Sequence, residues 1–173
     1  MSSFEPGTEI LKRFLTAFFS RRRLALLAFV FLAACGFSPV YGPGGTAEDL
    51  RGRIAIAAPA DEEGFALVRR LEERLGLPQA PDLELTADIK ITEESLGVLP
   101  DGEISRFSVK GRVAWQILDA NGTAIATGTE EGFTSYSATS TTVATRFAAR
   151  DARRRLMVII ADRITTDVLS RGL

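Results

Sequence analysis

The one thiol in the chain, Cys35, stands directly after Leu32-Ala33-Ala34. Small residues immediately before a cysteine, at the end of an apolar run, are what a bacterial lipobox carries, and the chemistry expected there is acylation. The sulfur receives diacylglycerol, the chain is cut before the cysteine, and the new terminus takes an N-acyl group, so Cys35 becomes a lipid anchor. A buried structural cysteine after an uncleaved helix is the alternative reading. Other chemistry is scarce. The chain has no histidine, which removes the commonest general base near neutral pH and the commonest metal ligand. With Cys35 given to lipid, thiol catalysis and cysteine-based metal sites go too, and no metal site is expected. One tight acidic cluster, Asp61-Glu62-Glu63, could tempt an acid-base proposal. It sits where a helix begins, and capping plus the helix dipole account for all three carboxylates.

The elements around Cys35 support the anchor. Arg21, Arg22 and Arg23 precede an unbroken apolar run from Leu24 to Ala34. That order is an export signal, and the run is shorter than the ~20 residues that span a bilayer. The arginines fit either a general secretory head or a twin-arginine signal. Residues 1–34 are therefore expected to be removed as a signal peptide, residues 35–52 to form a lipidated tether marked by Gly42, Pro43, Gly44 and Gly45, and residues 53–173 to fold as a single domain. The whole chain carries 21 basic and 22 acidic residues; without Lys12, Arg13, Arg21, Arg22, Arg23, Glu5 and Glu9 these fall to 16 and 20, a formal net charge of −4. An exported, acidic domain argues against a nucleic-acid partner. No cysteine remains for a disulfide, so packing must hold the fold.

Within the domain, Arg53 to Ala58 reads as a short strand stopped by Pro59. A helix follows, capped by Asp61, with the apolar stripe Phe65, Val68, Leu71 and Leu75, and ended by Gly76 and Pro78. Leu83 to Ile91 alternates apolar and polar, as a half-buried strand does. Pro100-Asp101-Gly102 reverses the chain. Ile104 to Leu118 alternates again, with Phe107, Val109, Val113, Trp115 and Ile117 inward and Arg106, Ser108, Lys110, Arg112 and Gln116 outward. Asn121-Gly122 predicts a two-residue hairpin turn, which places Trp115 opposite Gly128 and Arg112 opposite Glu131 as an ion pair. Ala124, Ala126 and Gly128 are small enough for a helix to lie close. Thr134 to Thr145 reads as an exposed Ser/Thr-rich connection that caps the last helix. Ala149, Ala152, Leu156, Ile160, Ile164 and Val168 then recur at helical spacing to near Gly172. The fold expected is an α/β (α+β) two-layer sandwich: a four-stranded mixed sheet with two helices packed on one face, β1 and β2 parallel through a right-handed crossover.

Cys35-Gly36-Phe37 followed by Pro39-Val40-Tyr41-Gly42, this element order, and the Ala148-Ala149-Arg150-Asp151-Ala152 stretch of the closing helix resemble the LPS-assembly lipoprotein family, LptE. The resemblance implies a non-enzymatic lipoprotein with no cofactor beyond the covalent lipid on Cys35. It implies a place on the periplasmic face of the outer membrane, with which Gly36 after the lipidated cysteine is compatible. The partners implied are the LptD outer-membrane barrel, which such proteins plug and help assemble, and lipopolysaccharide on its way to the outer leaflet. The same fold could host a lipid-anchored binding or chaperone module for another envelope partner. A carboxylate-based hydrolase would need a pocket with two convergent carboxylates. Lipid A is phosphorylated, so contact with it needs local positive charge, which Arg106, Lys110 and Arg112 offer on one strand face. The competing reading pairs these three with Asp88, Glu84 and Glu131. Arg150, Arg153, Arg154 and Arg155 read as a solvated helix face.

Overall fold

The computed structural model describes residues 45–98, 104–138 and 141–173, all within the unit Val40–Leu173. Cys35 with its flanks and the Pro100-Asp101-Gly102 reversal lie outside the described residues. The elements are α1 (Thr46–Leu50), β1 (Ile54–Ile56), α2 (Glu62–Leu75), β2 (Leu83–Val98), β3 (Ile104–Asp119), β4 (Ala124–Ser137) and α3 (Thr142–Arg171). The strands form one sheet in the order β1-β2-β3-β4. β1 runs parallel to β2 and the other neighbours are antiparallel, which is the mixed sheet the element order predicts. Leu85, Val109, Val113 and Ile117 are fully buried in one core with Leu67 and Leu71 of α2 and Leu156, Ile160 and Ile164 of α3. Among the described residues no helix is long and apolar enough to cross a membrane.

Local signals act as their chemistry requires. The Asp61 carboxylate accepts the Gly64 N–H at 2.7 Å, and Glu62 and Glu63 fill the first turn of α2. Thr141 caps α3 by accepting the Ala144 N–H at 3.3 Å. Away from the turn, Trp115 faces Gly128 and Arg112 faces Glu131, the register expected. The turn itself differs. The Asp119 N–H donates to the Thr123 carbonyl at 2.9 Å, and a bulge between Ile117 and Leu118 absorbs the extra residue. The Asp119 carboxylate explains the preference, since it accepts the backbone N–H groups of Asn121 at 2.8 Å and Thr123 at 2.9 Å. Those donors hold its pKa below the usual carboxylate range, with the Thr123 contact the largest cause.

Five other expectations are corrected. Residues 46–50, read as the end of the tether, form α1, with Leu50 in the core and the following Gly52 N–H donating to the Leu75 carbonyl at 3.2 Å. Phe65 is exposed, whereas Leu67, Leu71 and Leu75 are buried; these recur at one-turn steps of four, while steps of three from Phe65 drift around the helix. β2 continues past Ile91 to Val98 and β4 continues to Ser137, because the ladder to β3 holds residues whose own polarity suggests loop. Ser108 lies on the outward face of β3 as expected but is buried. The close approach of helix to sheet is made at Gly111 and Gly132, where an added Cβ would come within 2.9 and 3.2 Å of Leu156 methyl groups. Gly128 is instead covered by its cross-strand neighbour, since a Cβ there would stand 2.5 Å from Cζ2 of Trp115.

Candidate functional site

Alternation along β2, β3 and β4 places one set of side chains under the helices and the other on a sheet face that carries no helix. On that open face, residues 106, 110 and 112 of β3 project together, so the sequence-predicted cations are neighbours. They border a concave region of about 880 Å³ lined also by Leu96 and Phe133, both exposed, with Ser108 at its floor. A basic rim around an apolar surface can hold an anionic group and an attached hydrocarbon at once.

The three cations are not equivalent. Arg112 Nη1 meets Glu131 Oε1 at 2.5 Å, directly across the ladder, as expected. Lys110 Nζ meets Glu94 Oε2 at 2.6 Å; Glu94 takes the place that Glu84 or Asp88 was expected to fill. Asp88 pairs along its own strand with Lys90 at 3.7 Å. Arg106 has neither an ion pair nor a side-chain hydrogen bond among the described residues. The two pairs are half exposed, in the range where an ion pair is worth about 0–1 kcal/mol, so a doubly charged phosphate can compete for either cation. Arg163, reaching from α3, donates to the Glu131 carbonyl at the margin of the same surface.

A second polar cluster lies under the helices, where pattern reasoning expected none. Glu93 follows the apolar series Leu83 to Ile91 on the covered face. Its Oε1 accepts from Arg153 Nε at 2.9 Å and Nη2 at 2.7 Å, and its Oε2 accepts the Tyr136 hydroxyl at 3.3 Å. Arg153 also approaches Glu63 at 3.6 Å. The Tyr136 ring stacks on Phe107 with centroids 5.2 Å apart. The hydrogen bond from Glu93 raises the Arg153 pKa; burial, then the Glu93 charge, raises that of Tyr136. Arg153 is thus a clamp joining α3 to β2 and to the first turn of α2, not part of a solvated helix face. A carboxylate in phase with an apolar strand face was the signal for it.

The convergent carboxylates that acid-base chemistry would need are Glu63 and Glu93, and both are taken by one guanidinium. The remaining members of the acidic trio are a cap, Asp61, and an exposed first-turn residue, Glu62. Among the described residues no three His, Cys, Asp or Glu side chains are grouped to hold a metal. What this geometry can do is bind.

Residues 52–168 match the sequence model of a family described as LptE: Lipopolysaccharide-assembly. The fold is similar to the crystal structure of a lipoprotein from Caulobacter crescentus CB15, at 21% identity and TM-score 0.63, over 76% of this chain and 98% of that one. It is also similar to rare lipoprotein B from Shewanella oneidensis, at 15% identity and TM-score 0.53, over 68% and 92%. A minor lipoprotein from Acinetobacter baumannii matches at 19% identity and TM-score 0.51, over 68% and 89%. At such identities the likeness is one of fold. No curated protein matches the chain.

Proposed function

The chain belongs to the LptE lipopolysaccharide-assembly family, and from that premise we propose a lipoprotein anchored through acylated Cys35 at the periplasmic face of the outer membrane. There it plugs and helps assemble an LptD-type barrel and touches lipopolysaccharide in transit. The family is non-enzymatic and carries no cofactor, in keeping with the Glu63 and Glu93 carboxylates being tied to Arg153. A sheet with one helix-free polar face suits the polar lumen of a large barrel.

The observation that carries the lipid contact is the unpaired Arg106 beside exposed Leu96 and Phe133. A phosphate is held by Arg106, with Lys110 and Arg112 exchanging their carboxylates for it, while acyl chain lies on the apolar pair. The test is to express the tagged full chain in a Gram-negative host, extract the outer membrane in mild detergent, and identify co-purifying proteins and the N-terminus by mass spectrometry. A stoichiometric LptD-type barrel and a chain starting at acylated Cys35 are the expected result. Recovery from the inner membrane or the soluble fraction without a barrel overturns it in favour of a binding or chaperone module for another envelope partner. Arg106→Ala is expected to weaken binding of purified lipopolysaccharide by about tenfold, the loss of one charge-assisted contact; unchanged binding removes the sheet face from the lipid path.

A further inference from the structure

The molecule exposes a second amphipathic surface, on the helices and away from the open sheet face. Val143 and Phe147 of α3 are 63% and 64% exposed, and Phe65 of α2 is 62% exposed. Residues 143, 147, 150 and 154 share one face of α3 by helical spacing. Phe65, Arg150 and Arg154 line a cleft of about 220 Å³ between the two helices. Arg154 pairs with Asp151 at 2.5 Å, but Arg146 and Arg150 have no ion pair or side-chain hydrogen bond among the described residues. Three large apolar side chains held in water around two uncommitted guanidiniums are not a solvated helix face.

Resting on the plug reading, we propose that this surface docks an acidic protein surface with an apolar projection, which in that reading belongs to the barrel partner. The charge is complementary to carboxylates, and the makeup is that of protein interface centres, where aromatic residues and arginine are enriched and lysine is depleted. Every cation of the surface is an arginine, although lysine is available to the open face. Glu62 and Glu63 line the same cleft; they oppose a phosphate-rich headgroup layer, whereas a protein partner can place carboxylates against the arginines and spare these two. The position agrees. The chain enters the fold at Gly45 and α1, beside the C-terminal end of α2. A lipid on Cys35 therefore draws that pole toward the bilayer, while Phe65 lies near the other end of a 14-residue helix, about 20 Å long.

The experiment uses the full chain in a Gram-negative host with two variants, Phe147→Ser/Arg150→Glu and the milder Arg146→Gln/Arg150→Gln. Three quantities are read for each: barrel recovered per lipoprotein from the outer membrane, melting temperature, and binding to phosphatidylglycerol vesicles and to purified lipopolysaccharide. Barrel recovery is expected to fall about tenfold or more in the first variant and severalfold in the second, as for interface anchors, with melting and lipid binding unchanged. Undiminished barrel recovery in both variants overturns the proposal. So does a loss confined to vesicles or lipopolysaccharide, which would make the surface a lipid contact. A wild-type chain that brings down no barrel defeats the plug reading and this partner with it, an outcome distinct from a wild type that does and variants that do so equally.

Discussion

Glu93 and Glu94 are adjacent in sequence and answer to different physics, because alternation sends them to opposite faces of the sheet. Glu93 points under the helices, 26% exposed, and meets both Arg153 and Tyr136. Glu94 points to the open face, 53% exposed, and meets Lys110 alone. The covered face uses its charges to join elements, since a partly desolvated carboxylate must keep its partners. The open face leaves its charges in water, where partners exchange at little cost. One face is committed to the fold and the other is available to a ligand.

That contrast can be broken most forcefully at the core. Leu156→Ala removes the side chain over Gly111 and Gly132 and is expected to cost about 2–5 kcal/mol, read from the denaturant midpoint, while Phe133→Ala on the open face stays within about 0.5 kcal/mol. Equal effects would mean that the open face is as structural as the covered one. Gly128→Ala comes next. Its methyl would collide with the buried Trp115 ring, and we expect a loss of about 1–3 kcal/mol with a changed tryptophan emission spectrum. Retained stability with unchanged emission would show that the indole has room to shift.

Glu93→Gln against Glu94→Gln sharpens the comparison at a single step along the chain. The first is expected to cost about 1 kcal/mol after allowance for the partial exposure of Arg153, and the second under about 0.5 kcal/mol. The smallest effect belongs to the end of the sheet where both faces meet the hairpin. The folded-state pKa of Asp119 is lowered by the Thr123 and Asn121 N–H groups, and that of Asp82 by its hydrogen bonds from Arg53. A carboxylate whose folded pKa lies below its unfolded value contributes stability that is present above the unfolded value. That contribution is lost as pH falls through the folded one. Stability is therefore expected to decline from about pH 4 downward, and Asp119→Asn should flatten that acid limb; an unchanged limb would show that the hairpin cap is energetically silent.

Much of this was legible in the residues. The alternation of β3, the Asp61 cap, the α3 stripe through Leu156 and Ile160, and the pairing of Arg112 with Glu131 all follow from chemistry within a few residues or from one turn. The candidate site was half legible: the three cations share a face, but their partners across the sheet could not be ranked. Lys110 chose Glu94 because β2 runs on past Ile91, and that extension is held by the ladder rather than by the polar residues Thr92 to Ser95. The exposed Phe65 and the buried Leu50 were misread for a related reason. An apolar side chain in a short window looks buried wherever it stands, and a five-residue helix after glycines looks like tether.

By itself the sequence determined the local grammar of the chain: a single cysteine behind small residues, no histidine, strands with a period of two, and helices whose ends are marked. Those signals act between residues close in the chain, so no partner is needed to read them. The tertiary structure decided which charges are spent and which are spare. Glu93 is clamped while Arg106, Arg146 and Arg150 stand unpaired, and Gly111 and Gly132, not Gly128, admit the helix. Each of these depends on which side chain arrives from a distant element and how much water remains beside it.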